Sequence, residues 1–487
     1  MLENYVWPLR DQFLDRDDEL ERLSGWWDEA DRRPVALYGR RRVGKSWLFR
    51  AFAHGKPALI LVAEELAEGA QLTKFAGALE PALGLRPDLP DVPSLFRALY
   101  RLARERQTLV VLDEFPYLLP NRDTASRQVQ TAIAAVMEEE RDASRLKLLL
   151  CGSQVSSMEK LLGEGSALRG RLTPLALRPL SFAQAAPFIE DSNPVARIAR
   201  YAIAGGMPLY LDELARGGPI GRRIARRVLD PRGPLFNEPR DVLERELREP
   251  GVYFSILEEL STGPKRLEDL SSALRMRNTS LTSYMKALRD LRLVDRTVPI
   301  NAPESTPKSQ YRLVDHFFRF WFRFTFPYQA QLESGLRPEA LYEGEIRPLL
   351  AEHVAPTFED LCRTWTREAY GEVAARIGPW WGDGRHDLRR SGERQTEEID
   401  IVGIGRNRVN VVGECKWTNK PLSVAILADL ERFKLPALVQ SGAKLKRDGP
   451  QMLLFSRSGF TDGLKAAAEK RPLIRLVDAA EVVAGGR

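Results

Sequence analysis

Residues Gly39-Arg40-Arg41-Arg42-Val43-Gly44-Lys45-Ser46 have the types and spacing of a phosphate-binding loop, G-x-x-x-x-G-K-[ST], without a mismatch. Such a loop aims backbone N–H groups at phosphate oxygens, where a helix N-terminus adds positive potential. Lys45 would reach the β- and γ-phosphates of ATP, and Ser46 would ligate Mg2+. A second pair, Asp113-Glu114, ends the apolar run Thr108-Leu-Val-Val-Leu112. Asp113 would hold Mg2+ through water and Glu114 would polarise the attacking water, which argues for hydrolysis beyond binding. Ser153 follows the run Leu146-Lys-Leu-Leu-Leu-Cys151, where it either hydrogen-bonds the γ-phosphate or lytic water or caps a turn. The third group is Asp400 with Glu414 and Lys416. Two carboxylates can hold one or two Mg2+, or Mn2+, and an ammonium beside them can orient or activate water, as phosphodiester hydrolysis requires.

The elements that must position these residues show in the hydrophobic pattern. Pro34-Val-Ala-Leu-Tyr38 is an apolar run of strand length, and Trp47-Leu-Phe-Arg-Ala-Phe52 has the spacing of a buried helix. Strand–helix alternation predicts a parallel sheet with ligands at the carboxyl ends of its strands. Residues 396–404 and 408–417 read as two strands joined by Gly405-Arg-Asn407 into a hairpin. Folding it back puts Asp400 opposite residue 413 or 414. Glu414 and Lys416, two apart, share a face, and Cys415 points into the opposite, apolar layer.

A chain of 487 residues exceeds the capacity of one core, so several domains are expected. With 44% hydrophobic and 29% charged residues the composition is that of an ordinary globular protein. No run of 18 apolar residues occurs and the first residues carry no basic-then-apolar signal, which points away from a membrane and to the cytoplasm. Cys151, Cys362 and Cys415 have no paired spacing, and His54, His316, His353 and His386 are scattered, so neither disulfides nor a zinc site are expected. A net charge of +6 permits nucleic acid as a partner without requiring it.

Phe13-Leu-Asp-Arg-Asp-Asp-Glu-Leu20, Asp113-Glu-Phe-Pro-Tyr117, Leu150-Cys-Gly-Ser153 and Gly205-Gly-Met-Pro-Leu-Tyr210 together resemble the archaeal-type ATPase family. That family stands near the AAA+ and STAND NTPases, and the resemblance covers roughly residues 10–220. It implies that Arg16 and Glu19 lie beside the nucleotide base, although a plain amphipathic helix start explains them too. Arg169 and Arg171 are candidates for an arginine finger, in cis or from a neighbouring subunit of a homo-oligomer, with a solvated basic loop as the alternative. Asp400…Glu414-x-Lys416 resembles the signature of the PD-(D/E)xK restriction-endonuclease-like superfamily. This second resemblance implies a further acid on the first helix of the fold, a position that Glu359 matches. A helix over 424–435 and a strand over 451–455 match the expected order, and many family members carry a segment like Ile377-Gly-Pro-Trp-Trp381 ahead of such a domain.

Between these regions, three short amphipathic segments from Tyr253 to Leu291 and two strand-like runs near 293–298 and 310–314 describe a winged helix-turn-helix. Lys265, Arg266, Arg275, Arg277, Lys286, Arg289, Arg292 and Arg296 outnumber Glu268, Asp269, Asp290 and Asp295 there. The third helix adds Asn278, Ser280, Thr282 and Ser283 on its polar side. Such a module contacts DNA or serves only to pack domains together. The aromatic stretch His316–Phe326 is either a base-stacking strip or a buried helix, and aromatics on every side favour burial.

The expected fold is therefore multidomain α/β. A P-loop NTPase parallel sheet spans 1–180, a helical lid 181–250, and a winged helix-turn-helix 251–315. An aromatic connecting helix covers 316–345 and a restriction-endonuclease-like α/β domain 346–487. Function is expected to be that of an ATP-binding and hydrolysing, DNA-associated protein whose C-terminal domain is a metal-dependent nuclease gated by ATP state. A STAND-like switch with a non-cleaving C-terminal domain is the alternative.

Overall fold

A computed structural model describes residues 4–6, 16–216, 218–247, 249–384 and 396–486; residues 13–15 of the N-terminal segment and His386 lie outside them. The chain divides into two compact units. One comprises Met1–Leu180 with Met207–Leu209, the other Ser181–Gly206 with Tyr210–Arg487.

The first unit is built on five strands, β1 (Val35–Tyr38), β2 (Ala58–Val62), β3 (Thr108–Asp113), β4 (Leu146–Gly152) and β5 (Thr173–Ala176). Their order in the sheet is β2-β3-β4-β1-β5, with every neighbouring pair parallel. β3 and β4 are buried along their whole length, as strands covered on both faces must be. Phe75, Leu95, Phe96, Leu99 and Ile133, on helices Glu68–Leu83, Val92–Leu102 and Asp123–Glu140, belong to the core that also takes Leu112 and Leu150. Helix Asp17–Asp28 ends over Lys147 of β4. The buried Lys147 ammonium donates to the carbonyls of Trp26, Glu29 and Asp31 at 2.5, 2.8 and 2.8 Å, satisfying acceptors that a helix C-terminus leaves open.

In the second unit, helices Pro250–Ser261, Leu267–Leu274 and Asn278–Asp290 precede an antiparallel hairpin of β6 (Val294–Thr297) and β7 (Gln310–Leu313). Leu281, Met285 and Leu288 line the buried side of the third helix, while Asn278, Ser280, Thr282 and Ser283 are exposed. Helix His316–Phe324 starts at Asp315, whose carboxylate accepts from the Phe318 N–H at 2.9 Å. Its Phe317, Phe318, Phe320, Trp321, Phe322 and Phe324 are all buried, so the strip is core and offers no stacking surface.

A second five-stranded sheet follows in the order β12-β11-β10-β9-β8. It comprises β8 (Arg376–Asp383), β9 (Thr396–Gly405), β10 (Arg408–Lys416), β11 (Gln451–Ser456) and β12 (Ile474–Asp478). β8, β9 and β10 run antiparallel; β10, β11 and β12 run parallel. The segment 377–381 is thus the edge strand of this sheet rather than a feature ahead of it. Arg406 and Asn407 both have positive φ (50° and 58°), as a two-residue hairpin turn requires. Helix Arg347–Tyr370 sends Phe358, Cys362 and Trp365 into the interior, where the Trp365 ring meets Phe455 of β11 edge-on at 5.4 Å. Among the described residues no helix is long and apolar enough to cross a membrane.

Candidate functional site

The phosphate-binding loop lies between β1 and helix Lys45–Ala53. Gly44 caps that helix with φ 98°, a left-handed conformation that glycine adopts at no steric cost. A Cβ on Gly39 would meet the Leu177 carbonyl oxygen at 2.4 Å, so the first glycine is fixed by close backbone approach. Arg16 is buried and donates to the carbonyls of Val43 at 3.0 Å and Arg178 at 2.8 Å, while pairing with Glu19 at 3.0 Å. It braces the loop from behind. The Lys45 ammonium donates to the Gly39 and Arg40 carbonyls at 2.7 and 3.3 Å.

Asp113 and Glu114 close β3. Burial, and then the charge of Glu114, push the Asp113 carboxyl above the usual carboxylate range. Glu114 sits at φ 54°, an uncommon backbone state for a non-glycine residue and frequent where strain serves function. Its Oε2 accepts from the Ser153 N–H at 3.1 Å and the Ser153 hydroxyl at 2.8 Å. Ser153 therefore aims the carboxylate across the ends of two adjacent strands. Hard oxygen donors at Ser46 and Asp113, a lysine and a run of backbone N–H groups fit Mg-ATP. Arg169 and Arg171 are exposed and pair with Glu164 at 3.5 Å and Glu138 at 3.1 Å.

The second cluster is assembled by the β9–β10 hairpin. Gly413 pairs with Ile401, which sets Asp400 opposite Glu414. The Asp400 carboxylate accepts from the Cys415 N–H at 2.7 Å, and Lys416 lies 3.1 Å from Glu414 and 3.5 Å from Asp400. Glu414 is fully buried and its Oε1 has no hydrogen-bond partner. Burial and the nearby Asp400 charge raise its carboxyl to about 6, against the pull of Lys416 and Lys434. The same causes, burial first and then Asp400, raise Glu359 on helix Arg347–Tyr370 to about 8. Cys415 and Cys362 are buried in the apolar layer.

Two features had no signal in the sequence. Lys434 lies 2.6 Å from Glu414 Oε2, on a single π-helical turn, Leu430–Lys434. Asp360, beside Glu359, accepts from Arg312 of β7 at 2.9 and 2.8 Å and from Arg363 at 2.8 Å. Burial opposes ionisation of Asp360, but the two guanidiniums outweigh it and hold the carboxyl well below its ordinary range. Arg363 also donates to the Asp400 carbonyl at 2.9 Å, joining the hairpin β6–β7 to the carboxylate cluster.

Among the described residues no group of three or more His, Cys, Asp or Glu side chains is arranged to hold a metal ion. Asp400 and Glu414 supply two carboxylates, one with an unpartnered oxygen. A hard divalent cation completing its shell with water fits that donor set.

Comparison with known proteins agrees with the first unit. Residues 31–186 match a family described as an AAA domain. Residues 321–427, which include Glu359, Asp400, Glu414 and Lys416, match a family described as archaeal and bacterial proteins of unknown function. An uncharacterised protein of Methanocaldococcus jannaschii is 25% identical over 413 residues, 83% of this chain and 87% of the relative. An uncharacterised ATP-binding protein of the same organism is 46% identical over 44 residues, 9% of this chain and 75% of the relative. A Walker-type ATPase of Pyrococcus abyssi matches in structure with a TM-score of 0.49 and 20% identity, over 66% of this chain and 99% of that one. The first unit thus carries an AAA-type ATPase domain, and the chain belongs to the archaeal-type P-loop ATP-binding proteins.

Proposed function

We propose that this protein is a DNA-associated ATPase whose C-terminal sheet carries a metal-dependent phosphodiester-cleaving site controlled by nucleotide state. The observation that carries the reading is Glu414, fully buried with an unpartnered Oε1, converging with Asp400 and Lys416. Burying a carboxylate is costly unless something binds it, and a cation between Asp400 and Glu414 would supply that compensation. When bound there, Mg2+ or Mn2+ would polarise the phosphodiester and lower the pKa of a bound water. Lys416 would hold the attacking water or offset phosphate charge. Glu359, protonated near neutrality, could give a proton to the leaving oxygen.

In the first unit Lys45 and the loop N–H groups would hold the ATP phosphates, Ser46 and Asp113 the Mg2+, and Glu114 the attacking water. The helices from Pro250 to Asp290 and the β6–β7 hairpin support a winged helix-turn-helix, with exposed Arg275, Arg277, Lys286 and Arg289 available to DNA phosphates. Exposed Arg169 and Arg171 suit an arginine finger offered to a neighbouring subunit of a homo-oligomer.

A second reading has its own support. Lys416 and Lys434 already neutralise Glu414, so the C-terminal site could bind without cutting, as in a STAND-like switch. Incubation of linear, circular and single-stranded DNA with Mg2+ or Mn2+, with and without ATP, separates the two. Cleavage by the wild type that is lost in Asp400→Ala supports the nuclease; equal background from both proteins supports the switch. Normal ATP hydrolysis by Lys45→Ala would remove the ATP-site assignment.

A further inference from the structure

Asp400, alone of the Asp400–Glu414–Lys416 cluster, lines a cavity of 800 Å³ in the second unit. One wall is the β6–β7 hairpin, with Arg296 and Arg312; the other is helix Arg347–Tyr370 and β8, with Arg367 and Arg376, and Glu359 and Asp400 also face it. The walls are fastened to each other. Beyond the Arg312–Asp360 pair, the Ile300 N–H donates to the Pro379 carbonyl at 3.0 Å and Trp381 Nε1 to the Lys308 carbonyl at 2.9 Å. Lys308 pairs with Asp383 at 2.9 Å, and Asn301 donates to Ser441 Oγ at 2.8 Å. A space of this size encloses a ligand of a few hundred Å³. A double helix, whose major groove alone is about 12 Å wide, is far larger than a space of 800 Å³. One or two unpaired nucleotides are of the size that such a space takes. Acids and arginines line the space in mixture, and the exposed Arg367 and Arg376 suit phosphates while the half-buried Trp381 offers a ring to a base.

We infer that this cleft admits one unpaired nucleic-acid strand, with Arg367 and Arg376 holding its phosphates as it passes Glu359 and Asp400. The inference rests on reading Asp400 and Glu414 as a phosphodiester-cleaving site. Arg367 and Arg376 are exposed, so replacing them leaves the core intact.

The test uses the full chain carrying Asp400→Asn, which binds without cutting. Fluorescence anisotropy is read with a labelled oligothymidylate and with a duplex of equal length. Adding Arg367→Ala and Arg376→Ala together is expected to weaken single-strand binding about tenfold, roughly 1.4 kcal/mol. Duplex affinity, thermal melting and ATP hydrolysis stay unchanged. Unchanged single-strand affinity, or an equal loss for the duplex, overturns the inference. Cleavage by the chain with its native Asp400 separates the underlying reading. A strand bound through Arg367 and Arg376 yet never cut removes the nuclease and leaves the strand site. Duplex cut as fast as single strand, with the arginine pair irrelevant to binding, does the reverse.

Discussion

Lys434 places its ammonium 2.6 Å from Glu414 Oε2, so the most deeply buried carboxylate of the C-terminal site carries a counter-charge from a different element than Lys416. Removing that charge as Lys434→Met should raise the Glu414 pKa. If the proposed cleavage occurs, the acid limb of its metal-dependent profile then moves up by about one pH unit, equivalent to about 1.4 kcal/mol of lost charge stabilisation. Lys434→Arg should keep the limb in place. A profile unmoved by the methionine substitution would reduce Lys434 to a packing role.

Glu359 gives the folded protein a pH dependence of definite sign. Its folded value of about 8 lies above the ordinary 4.5, so the native state keeps a proton that the unfolded chain releases. Stability is therefore lost as pH climbs from about 4.5 to about 8, with Glu414 adding to the loss between about 4.5 and about 6. Thermal melting without divalent metal should fall by several degrees across that range. Glu359→Gln, which cannot ionise, should flatten the curve and melt higher than wild type at about pH 9. Parallel curves for the two proteins would contradict the assignment.

At the ATP site, binding and turnover should separate. Lys45→Ala is expected to lose nucleotide binding and hydrolysis together. Glu114→Gln should bind ATP normally and hydrolyse it about 10²–10⁴-fold more slowly, since it removes the group proposed to polarise water. Ser153→Ala removes the hydroxyl hydrogen bond to the Glu114 carboxylate and leaves the one from the backbone N–H, and should lower turnover several-fold with binding unchanged. A fluorescent nucleotide titration beside a phosphate-release assay reads both quantities.

Lys147→Met tests a purely structural cation. It strands the carbonyls of Trp26, Glu29 and Asp31, and the expected cost is about 2–3 kcal/mol. Denaturant unfolding should show the midpoint falling, while the nucleotide affinity of the protein that remains folded is retained.

The sequence was most informative where chemistry and local geometry coincide. The Gly39–Ser46 loop follows an apolar strand by necessity of its turn. The Asp400–Glu414 juxtaposition follows from a two-residue turn and the period-two alternation of strands. β2 is as apolar as β1 and no shorter but carries no chemistry-bearing residue to single it out, whereas β5 is short and its Pro174 reads as a breaker until the strand is seen at the sheet edge. Lys434 was invisible for a different reason. It sits on a π-helical turn, where one extra residue rotates the helix face away from the 3.6 period. The Arg312–Asp360–Arg363 chain joins residues 48 positions apart, which no local pattern encodes.

The turn at Arg406 and Asn407 also bears on how the C-terminal site comes into being. A hairpin is a local structure that closes in about 1–10 μs, whereas the parallel partners β11 and β12 must wait for longer loops to close. On these general timescales Asp400 and Glu414 would come together early, on a ribbon still bathed in water, where two like charges would drive the strands apart. Lys416 travels on the same ribbon. Lys416 would in that sense be an assembly factor for its own site, neutralising the acids during the interval before Lys434 and the rest of the sheet arrive.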